Sequence, residues 1–214
     1  MVLTEDTGKQ LEMALCLAYN IPYQGKYKYG LEEPTRIAEK FKHNLPTFEG
    51  IRHTAEKGSP HDYTHNNGYL SLKSNKKTGG KVAPQLVGQA TPKTFCERMD
   101  IPVMEPPELK EYIQTNIQTL LPTFEKNTFD CPIIYFDKQK DTLRYIERLE
   151  PFDWSGEVSW TKHFTNWSNS STLKIDGTSL MEIQFHTKRR NMACRWCFEN
   201  VLRRAASKLR IVLL

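Results

Sequence analysis

Asn67-Gly68 stands between two strand-like runs, residues 61–66 and 69–75. In that setting an Asn-Gly pair is the strongest short-range signal for a β-hairpin, because a two-residue type I′ turn needs positive φ at both central positions. Counting outward gives the register. Asn66 faces Tyr69, His65 faces Leu70, Thr64 faces Ser71, Tyr63 faces Leu72 and Asp62 faces Lys73. Side chains alternate between the two faces of a strand, so Asp62, Thr64, Ser71 and Lys73 share one face. Leu70 and Leu72 occupy the other and pack on the core. One side of the ribbon thus presents a carboxylate beside an ammonium, with hydroxyls next to them.

The rest of the chain reads as an α/β layout around that ribbon. Leu11, Ala14, Leu15 and Ala18 repeat at helical spacing and predict a helix over 5–19. A second helix starts near Pro34, which suits a first helical position, and ends by Asn44-Leu45-Pro46. A first strand is expected over 48–54, and Gly58-Ser59-Pro60 breaks the chain before the hairpin. Residues 78–92 form a loop. A helix over 108–121 is stopped by Pro122, and strands follow at 133–136 and 142–148. Leu173–Ile175 and Leu180–Phe185 pair around an Asp176-Gly177 turn. Cys194, Cys197, Phe198, Val201, Leu202 and Ala205 then fall on one face of a final helix. The expected architecture is a mixed sheet flanked by helices. The 214 residues form a single domain, with 150–214 as a C-terminal β/α extension.

Charge is clustered. The net charge is +5, yet 63–96 holds no Asp or Glu and five lysines (Lys73, Lys76, Lys77, Lys81, Lys93). From Thr187 onward eight Lys or Arg stand against Glu199 alone. Such clustering is the footprint of a phosphate backbone, although a solvated basic surface has the same composition. The longest apolar run, Ile211–Leu214, is far too short to span a membrane, and the first residues lack a secretory pattern. Five scattered cysteines argue for reduced thiols and a cytoplasmic setting.

The Asp62/Lys73 face suits metal-dependent phosphodiester hydrolysis. A hard cation such as Mg²⁺ takes carboxylate oxygens, waters and phosphate oxygens. It polarises the phosphate and acidifies a water. A lysine in reach orients that water or stabilises developing charge. The plainer reading of the same pair is a cross-strand salt bridge.

Pro60-His61-Asp62, followed on the next strand by Ser71-Leu72-Lys73, resembles the PD-(D/E)xK nuclease signature. The continuation through Lys76-Lys77 and Lys81-Val82-Ala83-Pro84-Gln85 to Gly88-Gln89 is similar to type II restriction endonucleases. The resemblance implies a restriction-endonuclease-like αβββαβ core over residues 32–136, with the extension serving DNA recognition or dimerisation. It implies a Mg²⁺-dependent, sequence-specific endonuclease acting on double-stranded DNA as a homodimer, with no membrane partner and no nucleotide cofactor. Asp62 would bind the metal and Lys73 would serve the attacking water. Two departures stand out: His61 separates the Pro from the Asp, and Ser71 holds the position of the second carboxylate. Ser71 would then reach the metal through a water, and the missing carboxylate would come from the helix before the strands, with Glu39 the first candidate ahead of Glu32 and Glu33, and Glu49 and Glu56 still open. A non-catalytic nucleic-acid-binding protein and a structure-selective nuclease remain the alternatives.

Lys76, Lys77 and Lys81 are candidate phosphate contacts, and Gln85 and Gln89 candidate phosphate or base contacts. Asn166, Asn169, Lys188, Arg189 and Arg190 are further candidates toward the C-terminus. Cys194-x-x-Cys197 is a single pair where a structural zinc site needs four ligands, so it is read as core packing. Trp154, Trp160 and Trp167 are likewise read as core, and His61 and His65 as non-catalytic.

Overall fold

A computed structural model describes the chain except residues 1–3, 27–29, 42–43, 45, 55–60, 76–79, 187 and 189, together with the side chains of 4–6. Pro60, Lys76, Lys77 and Arg189 therefore lie outside the described residues. The chain forms two compact units. The first comprises Met1–Gly80, Cys131–Leu149 and Leu209–Leu214; the second comprises Lys81–Asp130 and Glu150–Lys208.

The first unit opens with helices α1 (Thr4–Tyr19) and α2 (Glu32–Lys40). Its strands are β1 (Arg52–His53), β2 (Tyr63–His65), β3 (Gly68–Asn75), β6 (Ile133–Asp137), β7 (Thr142–Arg148) and β12 (Leu209–Leu213). They form one sheet in the order β1-β2-β3-β6-β7-β12. Only β3 and β6 run parallel, so the sheet is mixed as expected. A parallel pair needs a long crossover; here residues 81–130 supply it. The apolar stripe of α1 is buried at Leu11, Ala14 and Leu15. It packs with Ile37 and Phe41 against Tyr63, Leu70, Leu72, Ile134 and Phe136. Leu70 and Leu72 do occupy the core face. The first strand is shorter than the expected 48–54, with ladder pairing confined to Arg52 and His53.

The hairpin turn is displaced by one residue from its expected place. Tyr63 pairs with Leu70, Thr64 with Tyr69 and His65 with Gly68, so Asn66-Asn67 make the turn. Neither asparagine has positive φ, while Gly68 has φ +148°. A tertiary contact chooses this turn over Asn67-Gly68. The Asn66 N–H donates to the Glu49 carbonyl at 2.9 Å, and the Asn66 side chain lies where a Cβ on Gly50 would stand. Gly50 itself has φ +67°. The pairing slips by two residues, and an even slip leaves every side chain on its own face.

The second unit holds β4 (Lys81–Val82), β5 (Gln89–Ala90), β8 (Val158–Trp160), β9 (Ser170–Ile175), β10 (Thr178–His186) and β11 (Asn191–Cys197). Its helices are α3 (Pro92–Met99), α4 (Pro106–Lys126) and α5 (Phe198–Arg204). The sheet order is β4-β11-β10-β9-β8, with β5 also on β11. Asp176 and Gly177 both take positive φ and close the β9–β10 hairpin, as their sequence demands. Two expectations fail here. The helix expected to stop at Pro122 continues to Lys126, because Leu120, Leu121 and Phe124 are buried and hold it past the proline. It departs from helical geometry at Asn116 instead. The final helix begins only at Phe198. Met192, Ala193, Cys194 and Trp196 are all buried in β11, and a short apolar run buried on both faces has no period that separates strand from helix.

Candidate active site

Asp62 sits immediately before β2, and the first unit packs its surroundings from three directions. Its backbone belongs to the ladder, since the Thr54 N–H donates to the Asp62 carbonyl at 2.9 Å. Its side chain takes the next ladder position on the other side: the Leu72 N–H donates to Asp62 Oδ2 at 2.6 Å. A carboxylate therefore stands where a strand carbonyl would, one residue from Lys73. In the observed register Asp62 falls opposite Ser71, with Lys73 on the diagonal. The expected shared face is kept while the direct pairing changes.

Surrounding protein strips water from Asp62, and this desolvation pushes its carboxyl above the ordinary value. The Lys73 charge and the Leu72 N–H pull the other way. Glu12 raises it further, and His53 lowers it. The carboxylate whose field reaches Asp62 is thus that of Glu12, on α1. Glu39, the sequence candidate, is exposed on α2. Glu12 lies on the helical row Gly8–Glu12–Cys16 that faces the sheet. A Cβ on Gly8 would be 3.8 Å from Ser74 Oγ, and Cys16 is buried. A glycine in mid-helix followed at i+4 by a glutamate was the only trace of this in the sequence.

Tyr63 fixes the height of that helical turn. Its hydroxyl donates to the Glu12 carbonyl at 2.5 Å and lies 3.3 Å from Cys16 Sγ. Burial lifts the Tyr63 hydroxyl well above its usual range and pushes the Cys16 thiol up to about 11. Both stay protonated and act as structure. His53 closes the cluster from β1. It is buried, stacks on Tyr23 with ring centroids 4.6 Å apart, and places Nε2 at 3.4 Å from Glu12 Oε2.

Carboxylate oxygens are the donors a hard cation takes, and the Lys73 ammonium is a charge partner of Asp62 rather than a ligand. Asp62 and Glu12 are the residues that could hold one. Ser71 is completely buried, with its N–H bonded to the Pro132 carbonyl at 3.0 Å, and Lys73 is half-buried. His61 stacks on Tyr69 at 4.2 Å, and His65 packs on Phe48 at 4.8 Å.

The second unit gathers part of the basic and amide set. Gln89 pairs with Ala193, and Asn169 accepts from the Phe185 N–H at 2.8 Å. Lys188 and Arg190 are exposed in the turn between β10 and β11. These positions share one end of the sheet. Of these, Arg190 lines a cavity of about 500 Å³, together with Lys93, Lys110, Glu105, Phe185 and His186. Asn166 is exposed in the short helical turn Phe164–Asn166. Lys81 lies at the other end of β11, opposite Cys197, and its ammonium is 2.8 Å from Glu182. The Gln85 N–H donates to the Asn127 carbonyl. Trp154 and Trp167 are buried, in keeping with core roles, and Cys194 is a buried thiol that burial raises further. All five cysteines are free of disulfides.

The chain is 37% identical over 207 residues to the type II restriction enzyme CviAII of Paramecium bursaria Chlorella virus 1. The match covers 94% of this chain. The chain spans 60% of that relative's length. A shorter match, 34% identical over 101 residues, is to a ribosomal protein L11 methyltransferase of Aeromonas salmonicida. It covers 44% of this chain and 33% of that protein. No family model and no solved structure matches. Among the described residues no helix is long and apolar enough to cross a membrane.

Proposed function

We propose that this chain is a type II restriction enzyme, a Mg²⁺-dependent endonuclease that cuts double-stranded DNA at a specific sequence, with a PD-(D/E)xK-type site in the first unit. The observation that carries the reading is Asp62, desolvated, held by the Leu72 N–H at 2.6 Å and acted on by the charges of Lys73 and Glu12. The 37% identity to a type II restriction enzyme over nearly the whole chain supports it. Asp62 and Glu12 would hold the ion through carboxylate oxygens, Glu12 taking the role first assigned to Glu39. When bound, the ion supplies Lewis acidity to the scissile phosphate and lowers the pKa of a water. Lys73 orients the attacking water and stabilises charge on the phosphate oxygens. Ser71 would fill the second motif position without charge. The Leu72 N–H, bonded to Asp62 Oδ2 at 2.6 Å, orients the Asp62 carboxylate.

The second unit supplies DNA contacts in this reading. Lys188 and Arg190 meet phosphates, with Lys76, Lys77 and Arg189 as further cations from the sequence. Gln89, Asn166 and Asn169 reach phosphates or base edges. A two-fold DNA site would be met by a homodimer, working in the cytoplasm. The test is cleavage of mixed plasmid DNA with and without Mg²⁺, repeated with Asp62→Ala and Lys73→Ala. Discrete Mg²⁺-dependent fragments from the unmodified chain alone are expected. Retained DNA binding with no cleavage under any metal would make the chain a binding protein. Cleavage confined to branched DNA would make it a structure-selective nuclease.

A further inference from the structure

His53 is a buried residue whose two ring nitrogens are in unequal surroundings. Its Nδ1 accepts a hydrogen bond from the Gln24 backbone N–H at 3.0 Å. A nitrogen that accepts carries no hydrogen, so the ring hydrogen of the neutral imidazole is on Nε2. Among the described residues, that buried Nε2 has no hydrogen-bond partner. A buried donor left unpaired is unfavourable, so it calls for an explanation. Glu12 Oε2 lies 3.4 Å away, just beyond a good hydrogen bond. The ring itself cannot swing away, because Tyr23 stacks on it at 4.6 Å and Tyr63 packs at 4.9 Å.

We propose that His53 is a positioning residue: with its tautomer set by the Gln24 N–H, it aims Nε2–H at Glu12 and orients that carboxylate toward a divalent cation shared with Asp62. This rests on the metal-site reading above. The arrangement places a fixed donor behind a carboxylate, the mirror of a carboxylate placed behind a ligating histidine. Partners behind a ligand fix its orientation and matter nearly as much as the ligand. The present 3.4 Å gap is that of a site whose bonds shorten on loading, as active-site hydrogen bonds do.

The test uses the full chain without DNA, with Mg²⁺ alone as the probe in titration calorimetry. His53→Phe keeps a flat ring against Tyr23 and removes the donor; Mg²⁺ affinity is expected to fall about 10- to 100-fold. His53→Gln carries an amide N–H close to the Nε2 position and should recover most of that loss. Long-range ¹H–¹⁵N correlation of the imidazole in the unmodified chain should show the hydrogen on Nε2, a readout that stands even if His53→Phe folds poorly. A hydrogen on Nδ1, or Mg²⁺ affinity unchanged in folded His53→Phe, overturns the proposal. Asp62→Ala separates the two levels. If it abolishes Mg²⁺ binding while His53→Phe leaves it intact, only the role of His53 fails. If it leaves Mg²⁺ binding intact, the metal-site reading fails and this one with it.

Discussion

Replacing Asp62 by Asn should stabilise the metal-free protein while abolishing DNA cleavage. The carboxyl of Asp62 is raised in the folded chain, with desolvation the largest cause. That upward direction already includes the attraction of Lys73 and the Leu72 N–H, so the net effect of folding on this charge is unfavourable. A group raised on folding contributes stability that is fully present below its unfolded pKa and is lost as pH rises through its folded pKa. At neutral pH the carboxylate is therefore a destabilising charge. Each pH unit of upward shift is worth about 1.4 kcal/mol. Asparagine keeps an oxygen for the Leu72 N–H and removes the charge. A gain of about 1 kcal/mol moves Tm by about 2–4 °C in a chain of this size. The assay is thermal unfolding of both proteins without metal, from neutral pH down to about pH 3, near the carboxylate pKa range. Asp62→Asn should melt higher at neutral pH, and the gap should close in acid as Asp62 itself becomes neutral. With Mg²⁺ at about 100 times its Kd, the unmodified chain gains about 2.7 kcal/mol, and the order of melting should reverse. A variant that melts lower than the unmodified chain at neutral pH without metal, or a gap that persists in acid, would refute the reasoning.

Three further outcomes follow from other parts of the molecule. Glu125 accepts the Phe152 N–H and the Trp154 Nε1–H inside the second unit, so Glu125→Ala strands two buried donors and should cost about 2–5 kcal/mol in denaturant unfolding. Arg190→Ala should reduce the slope of log binding constant against log salt by about 0.9 for duplex DNA, whereas Lys81→Ala, removing a lysine held by Glu182, should change that slope by much less; filter binding across a salt series reads both. Gly50→Ala forces a side chain into positive φ and into Asn66, and should cost about 1–3 kcal/mol in the same unfolding measurement.

The hairpin shows how far the sequence reading could reach. Alternation put Asp62 and Lys73 on one face, and that survived because the true pairing differs by an even number of residues. The turn itself was misplaced, since Asn66 is fixed by Glu49 and Gly50, residues no local rule connects to it. The stripe on α1 and the Asp176-Gly177 turn were legible because each depends only on neighbours in sequence. β11 was not, because burial on both faces erases periodicity. The pairing of Lys81 with Glu182 at 2.8 Å was not legible either, because it joins residues that only the sheet brings together.

Sequence alone determined the parts governed by short-range sterics and by the periods of helix and strand: the ribbon, its two faces, and an acid and a base on one of them. Tertiary structure alone decided that the Glu12 carboxylate lies 3.4 Å from His53 Nε2, with the other His53 nitrogen occupied by the Gln24 N–H. The physical reason is that these contacts join positions 12, 24 and 53. Packing of a helix against a sheet brings them together, and no local propensity carries that information.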